Sequence, residues 1–168
     1  GLRSTGFTTP ESVELQSMFQ TLSLGGVTHL TMEISSHALS LNRVDNVDVD
    51  IAVFTNLTPE HLDFYKNMEE YFAAKLKLFT RLSSNEIQII NNDNKYSEKI
   101  KNCTRANILT FGFNSKSTIY LEKITMTLNG SIFYINFKKQ KIKVKTKLIG
   151  DFNISNILAA ILICNSIG

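Results

Sequence analysis

The stretch IAVFTNLTPEHLDFYKNMEEYFAAKLKLF, Ile51 to Phe79, decides the fold class. Its first seven residues, Ile51 to Leu57, are apolar on both faces, the composition of a strand in the middle of a parallel sheet covered by helices. That strand runs into the polar loop TPEHLD and then into a helix. Asn67 stands where a cap belongs, Glu70 three residues on completes a capping box, and neither Gly nor Pro interrupts the run to Leu82. On a wheel of about 3.6 residues per turn, Met68, Tyr71, Phe72, Phe79 and Leu82 form one apolar stripe. Lys75 falls inside the stripe, whereas Lys77 points away from it. An ammonium there either snorkels, stem on apolar surface and charge in water, or is desolvated, with a lowered pKa and a reactive amine.

The alternation continues on both sides. Upstream, TTPESVELQSMFQTLSLGG (Thr8 to Gly26) predicts a helix with Thr9 as N-cap, Pro10 in first position, Glu11 in the first turn and Gly25-Gly26 as the stop. Leu15, Met18, Phe19 and Leu22 make its inner face. VTHLTMEI, Val27 to Ile34, reads as a strand delivering Glu33, Ser35, Ser36 and His37, followed by a short amphipathic segment to Arg43 and the connector DNVDVD. Downstream, strands are expected at Ile87 to Ile90 and Ile108 to Phe113, around a polar segment near Tyr96. This βαβ order predicts an α/β fold with a doubly wound, mostly parallel sheet. From Thr118 to Leu148 the sequence alternates with period two and carries Asn129-Gly130 as a hairpin turn, which predicts a small antiparallel subsheet at 118–148. A closing helix presents Ile154, Ile157, Leu158, Ile161 and Leu162.

A chain of 168 residues suffices for one domain with a real core. Its net charge of +3 does not by itself point to nucleic acid. The basic run from Lys138 to Lys147 alternates lysines with apolar residues, as a solvated strand face does, and no RNA-binding aromatic motif accompanies it. No partner nucleic acid or membrane is expected: nothing approaches the length of a membrane span, and the N-terminus lacks the shape of a signal peptide. Cys103 and Cys164 fit neither a metal spacing nor a disulfide framework, which suggests a reducing cytoplasm. Gly1 in place of Met, and Gly168 straight after an apolar helix, suggest a piece of a longer protein.

Ligands of open parallel sheets bind beyond the carboxyl ends of the strands. Glu33, Ser35, His37 and Arg43 follow one expected strand, and Thr55, Asn56, His61 and Asp63 follow the next, so neighbouring strands would bring them to one crevice. His61-x-Asp63 could be a metal pair and, with Glu33, would serve a metal-dependent hydrolase. A Ser-His hydrolase is excluded, since no G-x-S-x-G elbow surrounds Ser35 or Ser36. DNVDVD lacks the turn glycine and distal glutamate of a calcium loop.

MEISSHALSLNRV (Met32 to Val44) and DIAVFTNLTPEHLDFYKNMEEYFAAKLKLF (Asp50 to Phe79) strongly resemble the central domain of the Mur ligases. The resemblance runs from FTTP at the start to GDFNISNILAA at the end. It implies a P-loop or Rossmann-like ATP-binding domain, here at 1–168, from an amide ligase of peptidoglycan precursor synthesis. That enzyme adds the third residue, meso-diaminopimelate or L-lysine, to UDP-MurNAc-L-Ala-D-Glu through an acyl phosphate. No G-x-x-x-x-G-K-[ST] loop is present; the resemblance places it before Gly1, and a C-terminal domain after Gly168. By position, Thr8, Thr9, Ser35 and Arg43 would contact the muramoyl peptide. Glu33 and His61 would hold Mg2+ near ATP, Lys75 would be the lysine carbamylated by CO2, and Asn153 and Asn156 would lie near the adenine. Phe7 stands where the family often has Asn, and Leu41 where it has Gln. A non-catalytic module that binds the muramoyl peptide is the other reading of the same groove.

Overall fold

The computed structural model describes residues 6–60 and 63–168. They divide into two compact units, one holding residues up to Asp48 together with Pro59–Leu78, the other holding Val49–Thr58 and Phe79–Gly168.

The first unit is built from helices and irregular chain. Helix α1 (Ser12–Leu24) buries Leu15 and ends at Gly25, with Gly26 at φ +80°. Its N-cap is Glu11, with no side-chain cap bond, and not Thr9 as expected. The Thr9 hydroxyl is committed elsewhere, to the chain around Ser35. Val27 to Ile34 forms no strand, a second departure. Period-two patterning supplies the two faces of a strand but not the neighbouring ladder that makes one, and most of this segment is exposed. Helix α2 (Ser36–Ser40) follows, capped by Ser35, whose Oγ accepts the Ala38 N–H at 3.1 Å. In helix α3 (Met68–Thr80) Asn67 Oδ1 accepts the Glu70 N–H at 2.9 Å, while Glu70 reaches back to the Lys66 N–H at 3.1 Å, one residue beyond the usual box. Tyr71, Phe72, Phe79 and Leu82 are buried, Lys75 is half-buried and Lys77 exposed, as the wheel predicts.

The second unit carries a six-stranded mixed sheet, β1 (Ile51–Phe54), β2 (Ile87–Asn91), β3 (Asn107–Gly112), β4 (Ile119–Thr127), β5 (Gly130–Phe137) and β6 (Gln140–Thr146), paired in chain order. The first four strands are parallel and the last two join antiparallel, so the 118–148 subsheet continues the main sheet through Phe111↔Ile119. Helix α4 (Ser97–Lys101) links β2 to β3, and α5 (Asp151–Ile167) closes the chain. Ile154, Leu158 and Leu162 of α5 pack with Ile89, Phe111, Ile119, Phe133 and Ile135 in one dry core. Strand β1 stops at Phe54, short of the expected Leu57, and Thr55 to Leu57 continue as loop.

Two hairpin turns differ in chemistry. The first occupies Leu128 and Asn129, one residue earlier than expected, because Gly130 opens β5 at φ +129°, where an added Cβ would strike the Thr146 carbonyl. The second is Lys138-Lys139, both at positive φ (52° and 63°), the two-residue I′ geometry that Asn-Gly adopts at least cost. Replacing Gly130 by Ala should therefore cost about 2 kcal/mol or more, through strain and backbone collision. Replacing Lys138 by Asn together with Lys139 by Gly should gain about 1 kcal/mol. Urea midpoints at constant slope check both signs.

Candidate functional site

In the first unit one buried hydroxyl ties two segments together. Thr9 Oγ1 donates to the Glu33 carbonyl at 3.0 Å and accepts the Ser35 N–H at 3.0 Å, with Ser35 Oγ 3.4 Å away. Thr9 is 1% exposed, and Thr8 beside it is exposed. Arg43 joins the same cluster: Nη1 donates to the Thr9 carbonyl at 3.3 Å and Nη2 meets Glu11 Oε1 at 2.7 Å. The guanidinium carbon lies 4.4 Å from the centroid of the Phe7 ring. With its side chain only 10% exposed, Arg43 leaves a buried Nε–H with no acceptor among the described residues. Thr9, Ser35, Arg43 and the Glu33 backbone are thus brought together, although by side-chain hydrogen bonds and not at the end of the expected strand.

Lys75 rises from α3 with its Nζ 5.4 Å from the Tyr71 ring centroid. Among the described residues it has no hydrogen-bond or ion-pair partner. Burial pushes its pKa below the usual lysine range, against the opposing pull of the Glu33 and Glu60 carboxylates. A lowered pKa leaves more free amine at a given pH than a surface lysine has, and the free amine is the nucleophilic form. The same burial, with Glu60 and Tyr65, pushes the Tyr71 phenol up. Tyr65 stacks on Tyr71 at 5.3 Å, and Phe64 lies 4.3 Å from the His37 ring, so His37 belongs to an aromatic run. The Glu33 side chain is exposed and accepts no hydrogen bond from a described residue. His61 lies outside the described residues, and Asp63 is exposed in a turn. Among the described residues no three His, Cys, Asp or Glu side chains form a ready metal site.

The second unit has its own cleft of about 340 Å³ at the carboxyl ends of β1, β2 and β3, closed on one side by the start of α5. Asn91 braces its floor, donating to the Thr55 carbonyl at 2.7 Å and accepting the Asp93 N–H at 3.0 Å. Asp93 in turn accepts the Phe113 N–H at 2.7 Å. A methyl group on Gly112 would collide with that carboxylate, which accounts for glycine at the end of β3. Phe113 and Phe152 line the cleft and stay 40% and 68% exposed, and Asn156 presents its amide there. Two exposed rings beside amide and carboxylate groups suit a flat, polar-edged heterocycle. Asn153 does something different: its Nδ2 donates to the Ile149 carbonyl at 2.8 Å and anchors the start of α5. The sequence reading passes over Asn91, Asp93, Phe113 and Phe152, although the rule that singles out Thr55 and Asn56, position just past a parallel strand, applies equally at β2 and β3. Glu11 and Phe7 gave no such signal, since their partner Arg43 is remote in sequence.

The family described as Mur ligase middle domain matches residues 1–164. A UDP-N-acetylmuramoyl-L-alanyl-D-glutamate–2,6-diaminopimelate ligase of Caldanaerobacter subterraneus subsp. tengcongensis is 40% identical over 164 residues, covering 98% of this chain and 34% of that protein. A ligase of the same name from Geobacillus thermodenitrificans is 42% identical over 167 residues, covering 96% and 34%. A solved structure of a ligase of this name superposes with a TM-score of 0.86 at 26% identity, over 94% of this chain and 33% of that one. A MurF ligase from Thermotoga maritima, solved in complex with ADP, shares the fold at TM-score 0.67 and 18% identity, over 80% and 31%. The chain spans about a third of the length of these relatives.

Because Thr9 Oγ1 both donates and accepts in a buried place, Thr9→Val should destabilise by about 1–3 kcal/mol while Thr9→Ser stays within about 1 kcal/mol of the parent. Denaturant unfolding of the two variants measures the difference.

Proposed function

The chain belongs to the Mur ligase family as a middle domain, and from that premise we propose that it serves an ATP-dependent amide ligase of peptidoglycan precursor synthesis. The acceptor is UDP-MurNAc-L-Ala-D-Glu, and the incoming amine belongs to the third peptide residue. The names of the 40–42% identical relatives favour 2,6-diaminopimelate over L-lysine. The reaction runs in two balanced steps. A carboxylate oxygen of the D-glutamyl group attacks the γ-phosphorus of ATP and ADP leaves, giving an acyl phosphate. The amine nitrogen then attacks the acyl carbon, inorganic phosphate leaves and the amine loses a proton.

The observation that carries this reading is Lys75, half-buried, with a lowered pKa, and within electrostatic reach of Glu33 and Glu60. A free amine there can add to CO2, forming an N–C bond and releasing a proton, which turns a buried cation into a carbamate. The site would then hold three neighbouring anions and call for a cation. Oxygen donors of this kind are what Mg2+ prefers, so Glu33 and the Lys75 carbamate are proposed to hold it, with His61, which the family resemblance implies, as a less usual nitrogen donor. When bound, Mg2+ supplies charge neutralisation between ATP and the acceptor carboxylate. Thr8, Thr9, Ser35 and Arg43 are assigned to the muramoyl peptide, with Arg43 offering a fixed fork of donors to an anionic group. Asn156 is assigned to the adenine, in the cleft where Phe113 and Phe152 expose their rings; Asn153 contributes there by fixing the start of α5. The phosphate loop is assigned to sequence preceding these residues and the selection of the amino acid to sequence following them. A cytoplasmic setting agrees with the free, exposed Cys103 and Cys164, and among the described residues no helix is long and apolar enough to cross a membrane.

Phosphate release by the intact protein, dependent on both UDP-MurNAc-L-Ala-D-Glu and 2,6-diaminopimelate, tests the assignment; release that ignores the muramoyl peptide would overturn it. Lys75→Ala should lower that rate by about 100-fold or more. In 13C-labelled bicarbonate at fixed dissolved CO2, a carbamate resonance should grow as the pH rises, and at lower pH than for an exposed lysine, because the lowered pKa releases free amine earlier. Lys75→Arg should abolish the resonance.

A further inference from the structure

Arg43 is held on three sides. Glu11 takes Nη2 at 2.7 Å, the Thr9 carbonyl takes Nη1 at 3.3 Å, and the Phe7 ring lies under the guanidinium at 4.4 Å. What remains is the Nε edge, buried and without an acceptor among the described residues. An N–H removed from water without a partner is unfavourable, and it persists where a ligand supplies the missing acceptor. A carboxylate oxygen fits best, because a charge-assisted bond from a guanidinium N–H to a carboxylate is stronger than one to a neutral acceptor. The two in-plane bonds through Nη1 and Nη2 allow the group to tilt about its long stem. A flat ring against its face removes that tilt, and a cation over an aromatic face is itself favourable. Phe7 is 54% exposed, so the fold does not require its bulk. Its ring has a task in the orientation of Arg43 instead.

We propose that Phe7 is a positioning residue, whose ring fixes the Arg43 guanidinium so that its free Nε edge receives a carboxylate of the muramoyl-peptide substrate. The inference rests on the reading of Arg43 as a substrate contact, and adds to it the residue that sets the specificity-giving geometry. Phe7 acts only through Arg43 and touches no reacting atom. The effect therefore belongs to substrate affinity, not to the chemical step, and should be shared by any aromatic ring at this position.

The test measures KM and calorimetric affinity for UDP-MurNAc-L-Ala-D-Glu in the intact protein carrying Phe7→Leu, Phe7→Tyr or Phe7→Trp, each also combined with Arg43→Lys. Phe7→Leu should raise KM for the muramoyl peptide by about three- to tenfold, the range a cation–π contact supports, with kcat and KM for ATP within about twofold. Tyr and Trp should keep the parent affinity within about twofold. In the Arg43→Lys background the loss caused by Phe7→Leu should shrink below about twofold, as coupled residues require. An equal loss in both backgrounds, failure of Tyr and Trp to restore affinity, or a parallel rise in KM for ATP would overturn the proposal. Should Arg43→Lys alone leave the affinity for the muramoyl peptide unchanged, the assignment of Arg43 falls, and the role of Phe7 falls with it.

Discussion

Parallel pairing imposes the constraint from which the second unit follows. Strands running the same way all finish at one edge, so β1, β2 and β3 must deliver Thr55, Asn91 and Phe113 to the same side of the sheet. Backbone groups at that edge have left the ladder and need other partners. Asn91 and Asp93 supply them, and in doing so turn three loose strand ends into the braced floor of a cleft. Gly112 permits the arrangement by leaving room for the Asp93 carboxylate. The core of Phe111, Phe133 and the α5 leucines holds the sheet rigid behind it.

The first unit solves a related problem without a sheet. Its chain from Phe7 to Glu11 and from Glu33 to Arg43 is fixed by side chains, with Thr9 as the joint and Arg43 as the clamp. Polar joints of this kind are directional, so they position neighbouring groups more sharply than apolar packing does. Lys75 is the opposite case, an amine beside the Tyr71 ring with no hydrogen bond or ion pair to hold it among the described residues.

Much of this is legible in the sequence. The β1–α3 passage announced a parallel strand and a capped helix, and both stand, with Lys75 half-buried where the wheel put it. The alternating run after Thr118 announced the antiparallel strands. Val27 to Ile34 misled because alternation describes faces, whereas a strand also needs a neighbour. Thr9 misled for a similar reason: a hydroxyl before a helix is a good cap only if no better partner is near, and Ser35 is nearer in space than sequence distance suggests. The Mur ligase motifs named Ser35, Arg43 and Lys75 through resemblance. The Phe7–Arg43–Glu11 contacts and the Asn91 brace are products of folding, invisible to local periodicity.

The lysines of β6 acquire another meaning from the position of that strand. As the last strand in the order, β6 pairs along one side only among the described residues, with β5, and an unpaired strand edge is a template for a further strand. Lys141, Lys143 and Lys145 recur at every second residue of the strand, Lys141 paired with Glu122, and Lys147 follows just past its end. A second molecule approaching edge to edge would have to bring the same row of charges against it, and repulsion would grow with each rung added. The alternation that makes the strand thus also sets a row of like charges that opposes edge-to-edge pairing.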